Sequence, residues 1–154
     1  MQRTNLDLNG VIIRMFQKPG HLEGSRTKVD LRLSPQSVPV LATHAELESI
    51  LLNLALNARD ATPDGGVLVI ETAVIERGAA LSRNAGGSMA RPKARLRVTD
   101  TGTRAGAAAT LRLSAVAFTV GQLDGTYSIE TRHGAGTCVT VYLPSTAQPL
   151  ETGL

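Results

Sequence analysis

Asn53 and Asn57 stand four residues apart in the stretch 46–61, and Asp60 follows three residues later. On a helix these three share one side, each about a turn above the last. Amide oxygens are neutral, hard donors suited to Mg²⁺ and to phosphate-bound water, and an ionised carboxylate only accepts hydrogen bonds. Asparagine is a modest helix former, because its amide competes for backbone groups. Two of them mid-helix leave two readings open: a solvated or hydrogen-bonded helix face, or a ligand site. Asp100 is a second candidate. It closes an alternating run, 95–99, and stands two residues before Gly102. A carboxylate there could accept from a ligand amine, or it could simply end a strand in an Asp-Thr-Gly turn.

Several elements must position these groups. Thr43 and Glu46 make the Thr-x-x-Glu pattern of a capping box, so a helix starts beside His44. Leu47, Ile50, Leu51, Leu54, Ala58 and Ala61 recur at helical spacing and form its buried face, with the Asn/Asp stripe about a quarter-turn away. Pro63, Asp64, Gly65 and Gly66 stop it. Residues 8–17 read as a helix with Asp7 as its N-cap, and 107–123 as another, carried by Leu113, Val116, Ala117 and Val120 and broken at Gly125. Residues 28–33, 38–41, 67–74, 95–99, 126–130 and 137–143 read as strands, the last two paired across a glycine turn. Residues 1–5 are a polar lead, 76–93 a Gly/Ala/Ser/Arg-rich surface excursion, and 146–154 a flexible tail. The result is one α+β domain over 6–145, a two-layer sandwich of helices on one face of a mixed sheet.

The run Asn53-Leu-Ala-Leu-Asn57-Ala-Arg-Asp60-Ala61 resembles the N-box of sensor histidine kinases, in the ATP-binding domain of Bergerat type. Other pieces occur in the family's order across nearly the whole chain. Leu6-Asp7-Leu8-Asn9 resembles the opening segment. Residues 63–72 resemble the turn and strand after the N-box. Val98-Thr99-Asp100-Thr101-Gly102-Thr103 resembles the G1 box. Gly134-Ala135-Gly136-Thr137, followed by Val141-Tyr142-Leu143-Pro144, resembles the closing turn and last strand. The resemblance implies nucleotide-binding roles for Asn53, Asn57, Asp60, Asp100, Gly102, Thr103 and Thr137. Asn57 is the implied Mg²⁺ ligand, with Asn53 as a second candidate, and Asp100 the implied acceptor for the adenine amino group. ATP and Mg²⁺ are the implied cofactors. Hydrolytic relatives carry a glutamate at the place of Asn53. An asparagine cannot act as a base there, so a kinase-type site fits better than an independent ATPase.

The chain also departs from that pattern. The second G1 glycine is replaced by Arg104, and only eight residues separate Gly102 from Leu111, so the lid and aromatic F-box have no counterpart. Residues 108–114 align with the family's glycine-rich phosphate loop, yet each glycine is replaced. Thr110 is β-branched and resists positive φ, whereas glycine lets backbone approach a phosphate. Arg112 enters the same region, either to supply charge to a triphosphate or to fill the pocket. None of His21, His44 and His133 sits in the family's phospho-acceptor context. The expected function is therefore a histidine-kinase-type ATP-binding domain of two-component signalling with impaired binding and turnover. The alternative is a non-catalytic module docking on a kinase or response regulator. Expected partners are a histidine-bearing dimerisation unit or a receiver domain.

Composition narrows the remaining classes. With 42% hydrophobic and 19% charged residues the chain can bury a core, and with four aromatics that core must be aliphatic. The net charge of +3 suits anionic ligands, but the arginines are scattered without interleaved aromatics, which argues against a nucleic-acid binder. The single cysteine, Cys138, excludes an intrachain disulfide and reads as a small buried residue. No apolar run is long enough to span a membrane, and no signal sequence opens the chain, so cytoplasmic residence is expected.

Overall fold

The computed structural model describes residues 2–17, 26–62, 65–75, 92–102, 107–132 and 136–146. The expectations for Thr103, Arg104, His21, His133, the 76–91 part of the excursion and the tail from 147 lie outside them.

Among the described residues ten elements follow one another: β1 (Thr4–Asp7), α1 (Leu8–Gln17), β2 (Thr27–Arg32), β3 (Pro39–Ala42), α2 (His44–Ala61), β4 (Gly66–Ile75), β5 (Lys93–Asp100), α3 (Ala107–Gln122), β6 (Thr126–Arg132) and β7 (Gly136–Pro144). Five strands form a mixed sheet in the order β2-β4-β5-β7-β6; β2 runs parallel to β4, and the other pairs are antiparallel. A separate two-stranded ribbon joins β1 to β3. Strand β1 begins inside the stretch read as a polar lead, where Thr4 and Asn5 pair with Ala42 and Leu41. At the other end Ser145 bridges to Val40 and its hydroxyl donates to the Pro39 carbonyl, so the last strand is stitched to the ribbon.

Alternation sorts the sheet into two faces. Leu68 and Ile70 of β4, Ala94, Leu96 and Val98 of β5, and Val139, Val141 and Leu143 of β7 are buried under the helices. Leu8, Val11, Ile12 and Met15 of α1 join them, as do Val116, Val120 and Leu123 at α3. The other face carries Glu71, Arg97, Thr99 and Thr140. Cys138 lies on that outer face, half-buried beside Thr99, rather than in the core; a one-residue offset along β7 decides it.

Helix α2 follows the sequence reading closely. The Thr43 side chain accepts from the Glu46 amide, and the Glu46 carboxylate accepts from the Thr43 amide, closing the capping box. Leu47, Ile50, Leu51, Leu54 and Ala58 are buried as expected. Ala55 joins them, while Ala61 is half-buried. Helix α1 begins where Asp7 caps it: its Oδ1 accepts from the amides of Asn9 and Val38 at 3.1 and 2.8 Å. Helix α3 ends one residue earlier than its glycine suggests. Asp124 takes the left-handed conformation (φ 59°), and Gly125 N donates to the Val120 carbonyl, the bonding pattern of a Schellman stop.

Candidate functional site

The polar stripe of α2 does not act as one unit. Asn53 turns back on its own helix, its Nδ2 donating to the Ser49 carbonyl at 2.8 Å, the local competition that asparagine brings to helices. Asn57, one turn on, points between α2 and α3. Its Nδ2 donates to the Ala109 carbonyl at 3.2 Å, and its Oδ1 accepts from Arg112 Nη1 at 3.2 Å. That orientation is forced, since a carbonyl only accepts and a guanidinium only donates. The same Nη1 donates to Asp60 Oδ2 at 2.7 Å, and Arg59 reaches the other carboxylate oxygen of Asp60. The Arg112 hydrogen bond, outweighing burial, holds the Asp60 carboxyl below the usual aspartate range.

Asp100 ends β5, opposite Leu68 on one side and Thr137 on the other. Its Oδ1 accepts from the Gly102 amide at 2.9 Å. Burial pushes this carboxyl up, and the backbone amides of Gly102 and Thr137 pull against it. Gly102 itself is buried against the last turn of α2. A Cβ at that position would lie 2.6 Å from the Ala61 carbonyl oxygen and collide with the Ala61 side chain. The glycine is thus required by the packing of β5's end on α2.

One cavity of about 130 Å³ brings part of the candidate set together. Its lining includes Asn57, Asp100 and Thr137, with Leu54 and Ala61 of α2, Val98, Val139, Ile129 and the α3 residues Ala109 and Leu113. Asn53, Asp60 and Gly102 do not line it. The wall is mostly apolar and includes an acid and an amide, the mix of a small-molecule pocket. At this volume it admits a base-sized ring, well short of the ~300–1,000 Å³ usual for ligand sites. A larger hollow of about 630 Å³ opens on the outer face of the sheet among Glu71, Arg97, Thr99 and Glu130. Of the described candidate residues only Thr137 reaches it, whereas the smaller cavity gathers Asn57, Asp100 and Thr137.

The implied divalent ion does not fit this arrangement. The Asn57 oxygen that would hold it is engaged by a cationic guanidinium, the Asn53 amide turns back on Ser49, and among the described residues no cluster of three His, Cys, Asp or Glu could supply a metal shell. Arg112, Asn57 and Asp60 were each legible in the sequence, but their pairing was not, because more than fifty residues separate Arg112 from the two on α2. Val98 and Val139 were findable from strand alternation. Ile129 was not, since it lies on an exposed edge strand, 41% accessible.

The aspartate shift has a consequence for stability. The folded state holds the Asp100 proton to higher pH than the unfolded chain does, so it binds more protons between the two values, and stability falls as pH rises through that window. Above the window the cost of burying the charge is fully present. Asp100→Asn removes it while retaining a carbonyl to accept from Gly102. The variant is expected to melt at or above the wild-type temperature near neutrality, with the gap closing below about pH 3, where both side chains are uncharged. Thermal melts across that range check this; a variant that melts lower at neutrality contradicts it.

No protein-family model and no curated protein matches the sequence. Solved structures do match its fold. The mycobacterial sensor histidine kinase MprB superposes with a TM-score of 0.71 at 18% identity over 94% of this chain and 100% of that one. The catalytic domain of histidine kinase ThkA gives 0.70 at 18% identity over 96% and 100%. Full-length ShkA in complex with AMPPNP gives 0.71 at 19% identity, covering 95% of this chain and 32% of that one. No helix among the described residues is long and apolar enough to cross a membrane. The mixed five-stranded sheet, its helical layer and these superpositions agree: the chain has the α+β fold of sensor histidine kinase catalytic domains.

Proposed function

We propose that this chain is an adenine-nucleotide-binding domain of histidine-kinase type in two-component signalling, with phosphoryl turnover lost or severely reduced. One observation carries the reading: Asn57 on α2 and Asp100 at the end of β5, drawn from separate elements, line one cavity with Thr137. The fold supports it, since ShkA, which shares it, is described in complex with AMPPNP. In this reading Asp100 accepts from the exocyclic amine of the base, while Val98, Leu54, Leu113 and Val139 take its ring faces. The amino-terminal end of α3, whose dipole favours anions, lies at the cavity through Ala109.

Turnover is the weak point. Residues 108–114, where the resemblance expects glycines, lie within α3, so most of their amides are committed to helical bonds. A whole triphosphate needs more room than this cavity offers, so its phosphates would lie outside it. These observations also favour a second reading, in which the domain serves mainly as a docking module for a histidine-bearing dimerisation unit or a receiver domain. Leu111 and Phe118, one helical stripe on α3, are 72% and 69% exposed and would serve such a contact.

Calorimetry with AMPPNP separates the two. Measurable binding at millimolar ligand, weakened ~10–100-fold by Asp100→Asn, supports the nucleotide reading, because one charge-assisted hydrogen bond is lost. No heat at that concentration contradicts it and leaves the docking module.

A further inference from the structure

We infer that Arg112 is the resident cation beside this cleft: it engages the oxygen of Asn57, which lines the cavity, and that of Asp60, which lies outside it, so a nucleotide whose phosphates reach this pair is bound without metal. The inference rests on reading the cleft as a nucleotide site. A single nitrogen, Nη1, bonds both Asn57 Oδ1 and Asp60 Oδ2, at 3.2 and 2.7 Å. These are a neutral amide oxygen and a carboxylate oxygen, the hard donors a small divalent cation selects. The guanidinium satisfies both and fixes the amide's orientation through the second bond to Ala109. It is more than a plug. Among the described residues Nε and Nη2 make no hydrogen bond, and the side chain is 21% exposed, so one edge of the fork remains for an anion. Arginine pairs phosphate oxygens in a planar, bidentate manner without an intervening ion. A second cation of higher charge at the same oxygens would meet direct repulsion from the guanidinium. The arrangement therefore exchanges a diffusible metal ion for a tethered organic cation. It explains why a chain without the phosphate-loop glycines still keeps Asn57 and Asp60 facing α3.

Paramagnetic Mn²⁺ alone, followed by NMR line broadening of the Asn57 side-chain amide, tests this in the 154-residue chain without any nucleotide. The wild type is expected to stay sharp at Mn²⁺ concentrations at least ~10-fold above those that broaden Arg112→Ala, since removing the charge frees both oxygens. Arg112→Gln, closer in size, guards against a packing defect and gains the same response; adding Asp60→Asn to either variant removes it. Equal broadening in wild type and variants, or no broadening in any, overturns the inference. Calorimetry with ADP gives a second arm. Wild-type affinity unchanged between EDTA and Mg²⁺ agrees with a resident cation, and a ~10-fold gain with Mg²⁺ overturns it. Absence of ADP binding in every protein would instead defeat the nucleotide reading, and the Mn²⁺ comparison would still decide the role of Arg112.

Discussion

Gly136→Ala is expected to destabilise the fold by about 2–5 kcal/mol, combining left-handed backbone strain with forced displacement of packed atoms. Gly136 has φ +112°, a region that side chains resist. A Cβ there would strike the carbonyl oxygen of Asp100 and sit 3.0 Å from the Thr101 Cα. Both obstacles are backbone, so no rotamer relieves them. The position opens β7, pairs with Arg132 of β6, and precedes Thr137, which faces Asp100 in the ladder. The damage therefore falls on the strand end that presents the acid. Urea denaturation should show a lower midpoint with an unchanged slope, and the Asp100 and Gly102 amide signals should shift in whatever folded population remains. A change below about 0.5 kcal/mol would mean that this close approach is not maintained in solution.

Asn9→Ala should cost about 2–4 kcal/mol, from the hydrogen bonds lost and the polar groups left buried. The side chain is 8% exposed and joins three segments. Its Nδ2 donates to the carbonyls of Ser34 and Gln36, both at 3.0 Å, and its Oδ1 accepts from the Thr72 hydroxyl at 2.6 Å. Thr72 Oγ1 accepts in turn from the Ser34 amide at 2.9 Å. Helix α1, the segment leading to β3, and β4 are thereby held by one carboxamide. Asn9→Asp makes the sharper test, because a carboxylate cannot donate and would face two carbonyl oxygens. It is expected to be at least as destabilising as alanine, which denaturation curves will show. If aspartate were tolerated, the network would not be what fixes α1.

The parts legible in the sequence were those set by local chemistry. The capping box of α2 is written in Thr43 and Glu46, the start of α1 in Asp7, and the faces of β5 and β7 in simple alternation. The acid at the end of β5 was legible for the same reason. What stayed hidden depended on distant partners. Nothing local tells Asn53 to bond Ser49 while Asn57 reaches across to α3; the difference is one helical turn and the presence of Ala109 and Arg112. The ribbon of β1 with β3 was hidden because a four-residue polar strand has no periodicity to detect. Gly102 was legible as one of the implied nucleotide-binding residues, but its packing on Ala61, forty-one residues away, was not.

A nucleotide bound by this domain would lie against Asn57, Asp100 and Thr137. Titrating the ¹⁵N-labelled chain with AMPPNP and mapping the shifts decides whether it does. Perturbations are expected to concentrate at the Asn57 side-chain amide, the Asp100–Gly102 backbone, Thr137 and the first turn of α3. Shifts confined to the outer sheet face around Arg97 and Glu130, or none at millimolar ligand, would contradict it.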